Sequence, residues 1–257
     1  MRGLRPNKDH VFYSVLAATI SVTAFAGFWF TYFGPIIAKT YPSVGGALHV
    51  HGWSFFLWYL LFPFQTALIA KQRRAFHKIL GKLSVLLVLL MALTGILVLS
   101  VRVEEAMREG APLVWLMYGP LILSSLVLFC LFYAAGLRMA MTNRMQAHKR
   151  LIIVASAIGL GAGFFRLILF LSGFHPLSLP VGVLSCSLFI ITGAVYDWFT
   201  RQSVHPVYWI GLVALFAVEI PLLPQVSEAN VAWVNQHLAA FGEAIGFLYE
   251  PAPTVEF

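Results

Sequence analysis

The residues of this chain best suited to chemistry are histidines at the ends of long apolar runs. His49 and His51 open the run HVHGWSFFLWYLLFPFQTALIA, and His77 follows a basic cluster just beyond it. His148 follows a second basic cluster, in front of another apolar run. Imidazole nitrogens bind haem iron and zinc, so these histidines are the first candidates for a cofactor site.

Helical spacing places small residues on the same faces as His77 and His148. The face of His77 continues with Gly81, Ser84, Val88, Met91 and Gly95. The face of His148 continues with Ile152, Ala155, Gly159, Ala162 and Arg166. Such faces leave room for a flat macrocycle whose iron is bound by imidazole. Small residues also let membrane helices pack closely, and this is the alternative interpretation.

A b-type haem between the third and fifth apolar segments is therefore one prediction, with a role in membrane electron transfer. His77 and His148 are the expected axial ligands, and the redox partner is expected to be quinone or another membrane protein. Arg74 and Arg150 are expected to meet the haem propionates, because arginine binds carboxylates in a bidentate manner.

Two alternatives use the same residues differently. The first is a metal-dependent membrane enzyme, because three histidines and an aspartate near one face could hold zinc or iron. Its expected ligands are His77, His148, His205 and Asp197. The second is a non-enzymatic carrier, assembly factor or binding protein without a cofactor, in which the histidines and arginines only anchor helix ends.

Arg166 and Glu219 are ionisable residues within apolar segments, where charge is costly and usually functional. Their similar depth predicts either an ion pair or a pocket. In the pocket, Arg166 and His51 would meet a haem propionate, a quinone oxygen or a lipid phosphate. An unpaired Glu219 would suit proton transfer. Gln65 shares the face of His51, which indicates that this face looks inward.

Long apolar segments must position all these residues. The chain has 257 residues, of which 60% are hydrophobic and 11% charged, and apolar stretches of spanning length recur. The prediction is an all-α polytopic transmembrane bundle, formed as a single domain over residues 1–257. The expected spans are 12–38, 47–70, 79–101, 113–137, 151–172, 180–199 and 207–223, followed by an amphipathic surface helix at 226–248.

Basic residues alternate between the connections and so predict the orientation of the chain. They fall in the leader and in every second loop, which places the amino terminus in the cytoplasm and the carboxy terminus outside. The expected location is the bacterial inner membrane, with the lipid bilayer as the main partner. The net charge of +7 lies in short loops and therefore does not indicate nucleic-acid binding.

The motif combination resembles a known group of proteins. An HxH pair is followed by Trp58 and Gln65 at steps of seven residues and then by HKxLG from His77. This resembles uncharacterised multi-pass bacterial membrane proteins with an HxH…W…Q…HRxLG pattern. The segments AHKRL (147–151) and DWFTRQSVHPVYWIG (197–211) and Arg166 resemble that family too. The helix-end histidines are also similar, in architecture alone, to cytochrome b561-like proteins. Neither resemblance implies an established reaction for this chain.

A weak internal similarity adds one further expectation. Arg74-Ala-Phe-His77-Lys78 opens the third segment and Arg144-Met-Gln-Ala-His148-Lys149 opens the fifth. Segments two and three and segments four and five are thus expected to be parallel repeats, unless the similarity reflects chance likeness of basic loops.

Overall fold

A computed structural model describes residues 8–42, 45–110, 112–175 and 177–249, and it is helical throughout, without strands in these ranges. The predicted all-α class is confirmed. The first two helices, α1 and α2, are joined by a π-helical turn at Trp29–Phe33. The α-helices are α1 (Lys8–Phe28), α2 (Gly34–Ile37), α3 (Gly46–Ala70), α4 (Arg74–Glu109), α5 (Val114–Met141), α6 (Met145–Ile158), α7 (Gly161–Leu171), α8 (Ser178–Leu184), α9 (Ser187–Arg201), α10 (Pro206–Glu219) and α11 (Glu228–Ile245).

Five helical stretches are long and apolar enough to cross a membrane, which confirms a multi-pass membrane protein. A sixth crossing is available if α6 and α7 form one span, although they bend by 45° where they meet. The apolar stretch Pro206–Leu222, made of α10 and a 3₁₀ turn, is shorter than these helices. These candidates are Lys8–Ile37, Gly46–Ala70, Arg74–Glu109, Val114–Met141, Ser178–Arg201 and the bent pair Met145–Ile158 with Gly161–Leu171.

Helix α4 departs most from its predicted bounds, 79–101, because it contains 36 residues. Its last turns carry charged side chains that form ion pairs with one another, such as Arg102 with Glu105 at 2.8 Å. Intrahelical pairs of this kind stabilise a helix outside the bilayer, where hydropathy gives no signal. The apolar pattern therefore predicted the apolar part of α4 and missed its charged extension.

The predicted amphipathic tail helix forms α11 and packs against α4 and α5. Its buried face contains Val231, Asn235, Leu238 and Gly242. Asn235 donates a hydrogen bond of 2.7 Å from its side-chain amide to the carbonyl of Leu116. A Cβ on Gly242 would lie 2.3 Å from the backbone oxygen of Ser100, so only glycine permits this close approach. The tail helix thus uses one face for packing against the bundle.

The α3–α4 and α5–α6 hairpins have the same local geometry. Gln72 and Asn143 both have φ of 58°, which gives each connection a left-handed residue at the same point. The next residue, Arg73 or Arg144, donates its backbone N–H to a carbonyl five positions earlier, at 2.8 Å in both hairpins. Equivalent residues lie 71 positions apart in the chain, as 72 and 143 do. The side chains of His77 and His148 also bond the carbonyls of Gln65 and Gly136, which share this offset, and this match supports the internal repeat with Arg73 rather than Arg74 equivalent to Arg144.

Candidate functional site

The two hairpins place His77 and His148 side by side at one end of the bundle, which we call the His-pair end. The two imidazole ring centres are 6.4 Å apart, and their planes are nearly perpendicular at 83°. The Nδ1 of His77 donates to the carbonyl of Gln65 at 3.3 Å, and that of His148 donates to the carbonyl of Gly136 at 2.9 Å. These bonds assign the proton to Nδ1 and leave each Nε2 free to act as an acceptor or ligand.

Helix α5 packs against the small-residue faces near the His pair. A Cβ on Gly136 of α5 would lie 2.8 Å from Cδ1 of Ile152, on the His148 face, whereas one on Gly81 would meet only the Gln65 side-chain nitrogen at 3.9 Å. The hydroxyl of Ser84, on the His77 face, forms a buried hydrogen bond of 2.7 Å with that of Tyr133 in α5. Both faces that were expected to leave room for a macrocycle are therefore in contact with α5.

Arg150, expected at a haem propionate, instead forms a buried bidentate ion pair with Asp197. Its Nε and Nη2 lie 2.7 and 2.6 Å from the two carboxylate oxygens, and the residues are 1% and 0% exposed. Arg201 contributes a third hydrogen bond to Asp197 at 2.8 Å. Arg74, the other predicted propionate partner, is exposed at the start of α4.

The predicted metal ligands are not gathered into one cluster, because Asp197 is surrounded by arginines and a backbone amide. The backbone N–H of His205 donates to Asp197 at 3.3 Å, while the His205 Nδ1 caps α10 by accepting from the N–H of Val207. Burial lowers the pKa of His205, and the charge of Arg150 lowers it further. Within the described ranges, no group of three or more His, Cys, Asp or Glu side chains is placed to hold a metal ion.

A cavity with an unsatisfied polar group lies toward the other end of the bundle, the cavity end, where α3 begins. It is a cavity of about 240 Å³, enclosed by α1, α3, α4, α5 and α7. Small residues from four helices and the α6–α7 link open this space, and aromatic rings form most of the remaining wall. The small residues are Ala24, Gly52, Gly95, Gly159, Ala162 and Gly163.

Arg166 supplies positive charge to this cavity. Its Nη1 donates to the carbonyl of Ala162 at 2.8 Å, and its guanidinium lies 4.7 Å from the centre of the Phe28 ring. Over the ranges that the structure covers, no carboxylate lies within ion-pair distance of Arg166. Most donors of this guanidinium thus remain available to another molecule.

His51 is the second polar group of the cavity. Its Nδ1 is buried and has no hydrogen-bond partner among the described residues. Its ring packs beside Phe55, with ring centres 4.8 Å apart, and a Cβ on Gly95 would lie 3.6 Å from its Cε1. His49, by contrast, lies 3.0 Å from the hydroxyl of Tyr32.

The internal repeat explains why these two residues meet. By the 71-residue offset, His51 corresponds to Ile122, and Gly95 corresponds to Arg166. All four residues line the same cavity. Each hairpin therefore contributes one polar and one apolar residue at equivalent positions, and the cavity forms where the two copies face each other.

Glu219 does not pair with Arg166, so the ion-pair prediction is wrong. The carboxylate of Glu219 accepts a hydrogen bond of 2.6 Å from Ser125, and its second oxygen is buried without a partner. Ser125 lines the main cavity and also a smaller one of about 70 Å³, and Arg166 borders both. Gln65, expected with Glu219 in a proton or pocket role, lies at the His-pair end, where its amide donates to the carbonyl of His77.

The sequence analysis did not identify Tyr59 or the break between α6 and α7, near which Tyr59 forms a hydrogen bond. The Tyr59 hydroxyl lines the cavity and donates to the carbonyl of Ser156 at 3.1 Å, just before the bend between α6 and α7. The GLGAG run at 159–163 was the available signal, because glycines allow a helix to break as well as to pack closely.

The fold and the cavity define a multi-pass α-helical membrane protein with an internal pocket. Residues 46–196 match the family described as predicted membrane protein (DUF2306), and the match covers more than half of the chain. The chain belongs to this family, as its resemblance to uncharacterised membrane proteins suggested. A comparison with curated proteins and with solved structures found no significant match. Both His51 and Arg166 lie within the matched residues.

Proposed function

We propose that this protein is a membrane binding protein or carrier that holds a small amphipathic molecule in the cavity lined by His51 and Arg166. The observation that carries the proposal is an apolar cavity of about 240 Å³ with two polar groups in its wall. Among the described residues, Arg166 has no carboxylate partner and the Nδ1 of His51 has no hydrogen-bond partner. Ligand sites combine apolar walls with few convergent polar groups in this way. Leaving those groups unpaired is costly, so a polar ligand atom would stabilise the protein.

A cavity-filling variant tests the proposal with the neutral fluorophore 1-aminoanthracene in lipid nanodiscs. Gly52 lines the cavity, and a Cβ on Gly52 would lie 3.8 Å from the Phe56 ring, so Gly52→Leu fills space with little strain. We expect saturable fluorescence enhancement in the natural protein and a loss of at least about tenfold in affinity in the variant, since a leucine side chain removes much of the volume.

Gly81→Leu is the matched control for this experiment, because Gly81 sits at the His-pair end outside the lining of the cavity. It should bind the fluorophore like the natural protein. Equal fluorescence from empty nanodiscs and from all three proteins would refute the proposal.

Haem binding is a second candidate function, supported by the spacing of the His pair. Two imidazoles on opposite sides of one iron place their ring centres roughly 6 Å apart, because each metal–nitrogen bond is about 2 Å. The observed separation is 6.4 Å, and both Nδ1 atoms are already anchored on backbone carbonyls. Such anchors are typical of metal-bound histidines.

Haemin titration of the detergent-purified protein checks this candidate. We expect a Soret band that titrates to one haem per chain and is lost in His77→Ala and in His148→Ala, because each ring supplies one axial bond. His237→Ala is the control, since His237 is exposed and bonds only within α11. A spectrum unchanged by both substitutions would remove this candidate.

The proposed topology has seven spans and a cytoplasmic amino terminus in the bacterial inner membrane. The stretch Pro206–Leu222 would be the seventh span, at the lower length limit of about 17 residues. Lysines and arginines concentrate in the two hairpin connections, which supports a cytoplasmic His-pair end. The cavity would then open toward the outer half of the bilayer.

A further inference from the structure

We infer that the cavity selects a ligand with an oxyanion head, a carboxylate or phosphate, carried on an apolar body. This inference rests on the proposed function and specifies the chemistry of the ligand. Its basis is charge: Arg166 places a permanent cation between two cavities, and the described part of the chain gives it no counter-ion.

The contacts of Arg166 hold the guanidinium in place without neutralising it. The Ala162 carbonyl accepts from one nitrogen, and the Phe28 ring lies beside the guanidinium carbon at 4.7 Å. A carbonyl and an aromatic face attract a cation but carry no net negative charge. A charge held inside a membrane protein without a partner destabilises the protein, and a bound anion would offset most of that effect.

Two polar groups of the cavity wall, Arg166 and His51, suit an oxyanion better than a neutral oxygen. Arginine presents a planar fork of donors that matches two oxygens of a carboxylate or phosphate. His51 adds a ring nitrogen with no partner in the described structure, and an imidazole N–H could donate to the same head. A neutral quinone carbonyl would accept hydrogen bonds here but would leave the charge of Arg166 uncompensated.

The remaining wall suits an apolar body. Phe55, Phe56 and Phe129 line the same space, and the small residues between them provide width. Ser125 is polar, but its hydroxyl donates to Glu219 and is therefore already used. An apolar chain or ring can thus lie against the aromatic side of the cavity while the head stays at Arg166.

A matched pair of probes tests the inference on the full chain in nanodiscs of neutral phosphatidylcholine. Anthracene-2-carboxylate and 2-anthracenemethanol share one ring system and differ in the head group. We expect the carboxylate to bind at least about tenfold more tightly, and Arg166→Gln to weaken only the carboxylate by roughly 10- to 100-fold, the scale of a charge-assisted hydrogen bond. Arg166→Lys should restore part of the preference, because it keeps the charge and loses the fork.

Competition identifies the source of the anion. Dodecanoate, hexadecyl phosphate and nanodiscs that contain phosphatidic acid present the same head chemistry as a free acid, a free phosphate and a lipid head group. Displacement of the probe by one of them, with loss of that displacement in Arg166→Gln, supports the inference and names the source.

Three results separate the failure of this inference from that of the proposed function. Equal binding of both anthracene probes, unaffected by Arg166→Gln, overturns the oxyanion inference and keeps the binding cavity. Binding of neither probe, together with no response to 1-aminoanthracene, overturns both. If Arg166→Gln does not yield folded protein, the comparison between the two probes on the natural protein still decides the head-group preference.

Discussion

Asp197→Asn is expected to lower the stability of the protein by about 3–5 kcal/mol, because it leaves the charge of Arg150 buried without its partner. Arg150 and Asp197 are almost fully buried, and the carboxylate accepts two hydrogen bonds from Arg150 and one from Arg201. The ion pair joins α6 to α9, so its loss should also loosen helix packing at the His-pair end. Thermal and denaturant unfolding in one detergent measures the change.

Glu105→Gln is the control for this prediction. It removes an ion pair with Arg102 that is 21% and 27% exposed, and such pairs contribute at most about 1 kcal/mol. The paired change Arg150→Met with Asp197→Leu should recover much of the lost stability, because it removes both charges together. If Asp197→Asn costs no more than Glu105→Gln, the buried pair does not hold the bundle together.

Gly27→Ala is the second change with a large expected effect, because it inserts a methyl group where α1 crosses α7. The new Cβ would lie 1.9 Å from the backbone oxygen of Gly163, and backbone cannot rotate away as a side chain can. We expect a loss of about 3 kcal/mol or more, at the upper end of the usual cost of overpacking. Unfolding in detergent and the yield of monodisperse protein measure the effect.

Gly81→Ala is the matched control for Gly27→Ala, since both residues lie within long helices. Its Cβ would meet only the Gln65 side-chain nitrogen at 3.9 Å, which is ordinary contact. Alanine is favoured over glycine within a helix by roughly 0.5–1 kcal/mol, so this protein should be as stable as the natural one or slightly more. Equal destabilisation by the two substitutions would contradict the close crossing.

Local sequence patterns predicted the helices well, but they predicted the contacts between residues of different helices poorly. Apolar length identified the spanning segments, and basic residues marked the two hairpin connections that bring His77 and His148 together. Asp197 was considered as a metal ligand beside these histidines, yet it lies against Arg150. That contact depends on how α9 packs against α6, which periodicity within a single helix cannot specify.

The location of the cavity also depends on contacts between helices, which patterns within a single helix cannot predict. Small-residue faces were interpreted as space for a cofactor near His77 and His148, but α5 packs against both faces, with Tyr133 on Ser84 and Gly136 on Ile152. The cavity lies instead beside Arg166 and His51, which the sequence analysis named together only in its pocket alternative. Residue spacing could identify which helix faces carry small residues, whereas the side chains that pack against those faces come from other helices.

The length of α4 has a consequence for the rate at which a ligand could exchange. The charged residues of its carboxy-terminal part begin at Arg102, and in the proposed topology the edge of the hydrocarbon region would lie near that residue. Gly95, beside His51, lies seven residues deeper, or about 10 Å at the rise of a helix. A charged head must lose its hydration over that distance before Arg166 can replace the lost water. Both entry and departure then cross a high barrier, so bound molecules should have long residence times and should survive purification.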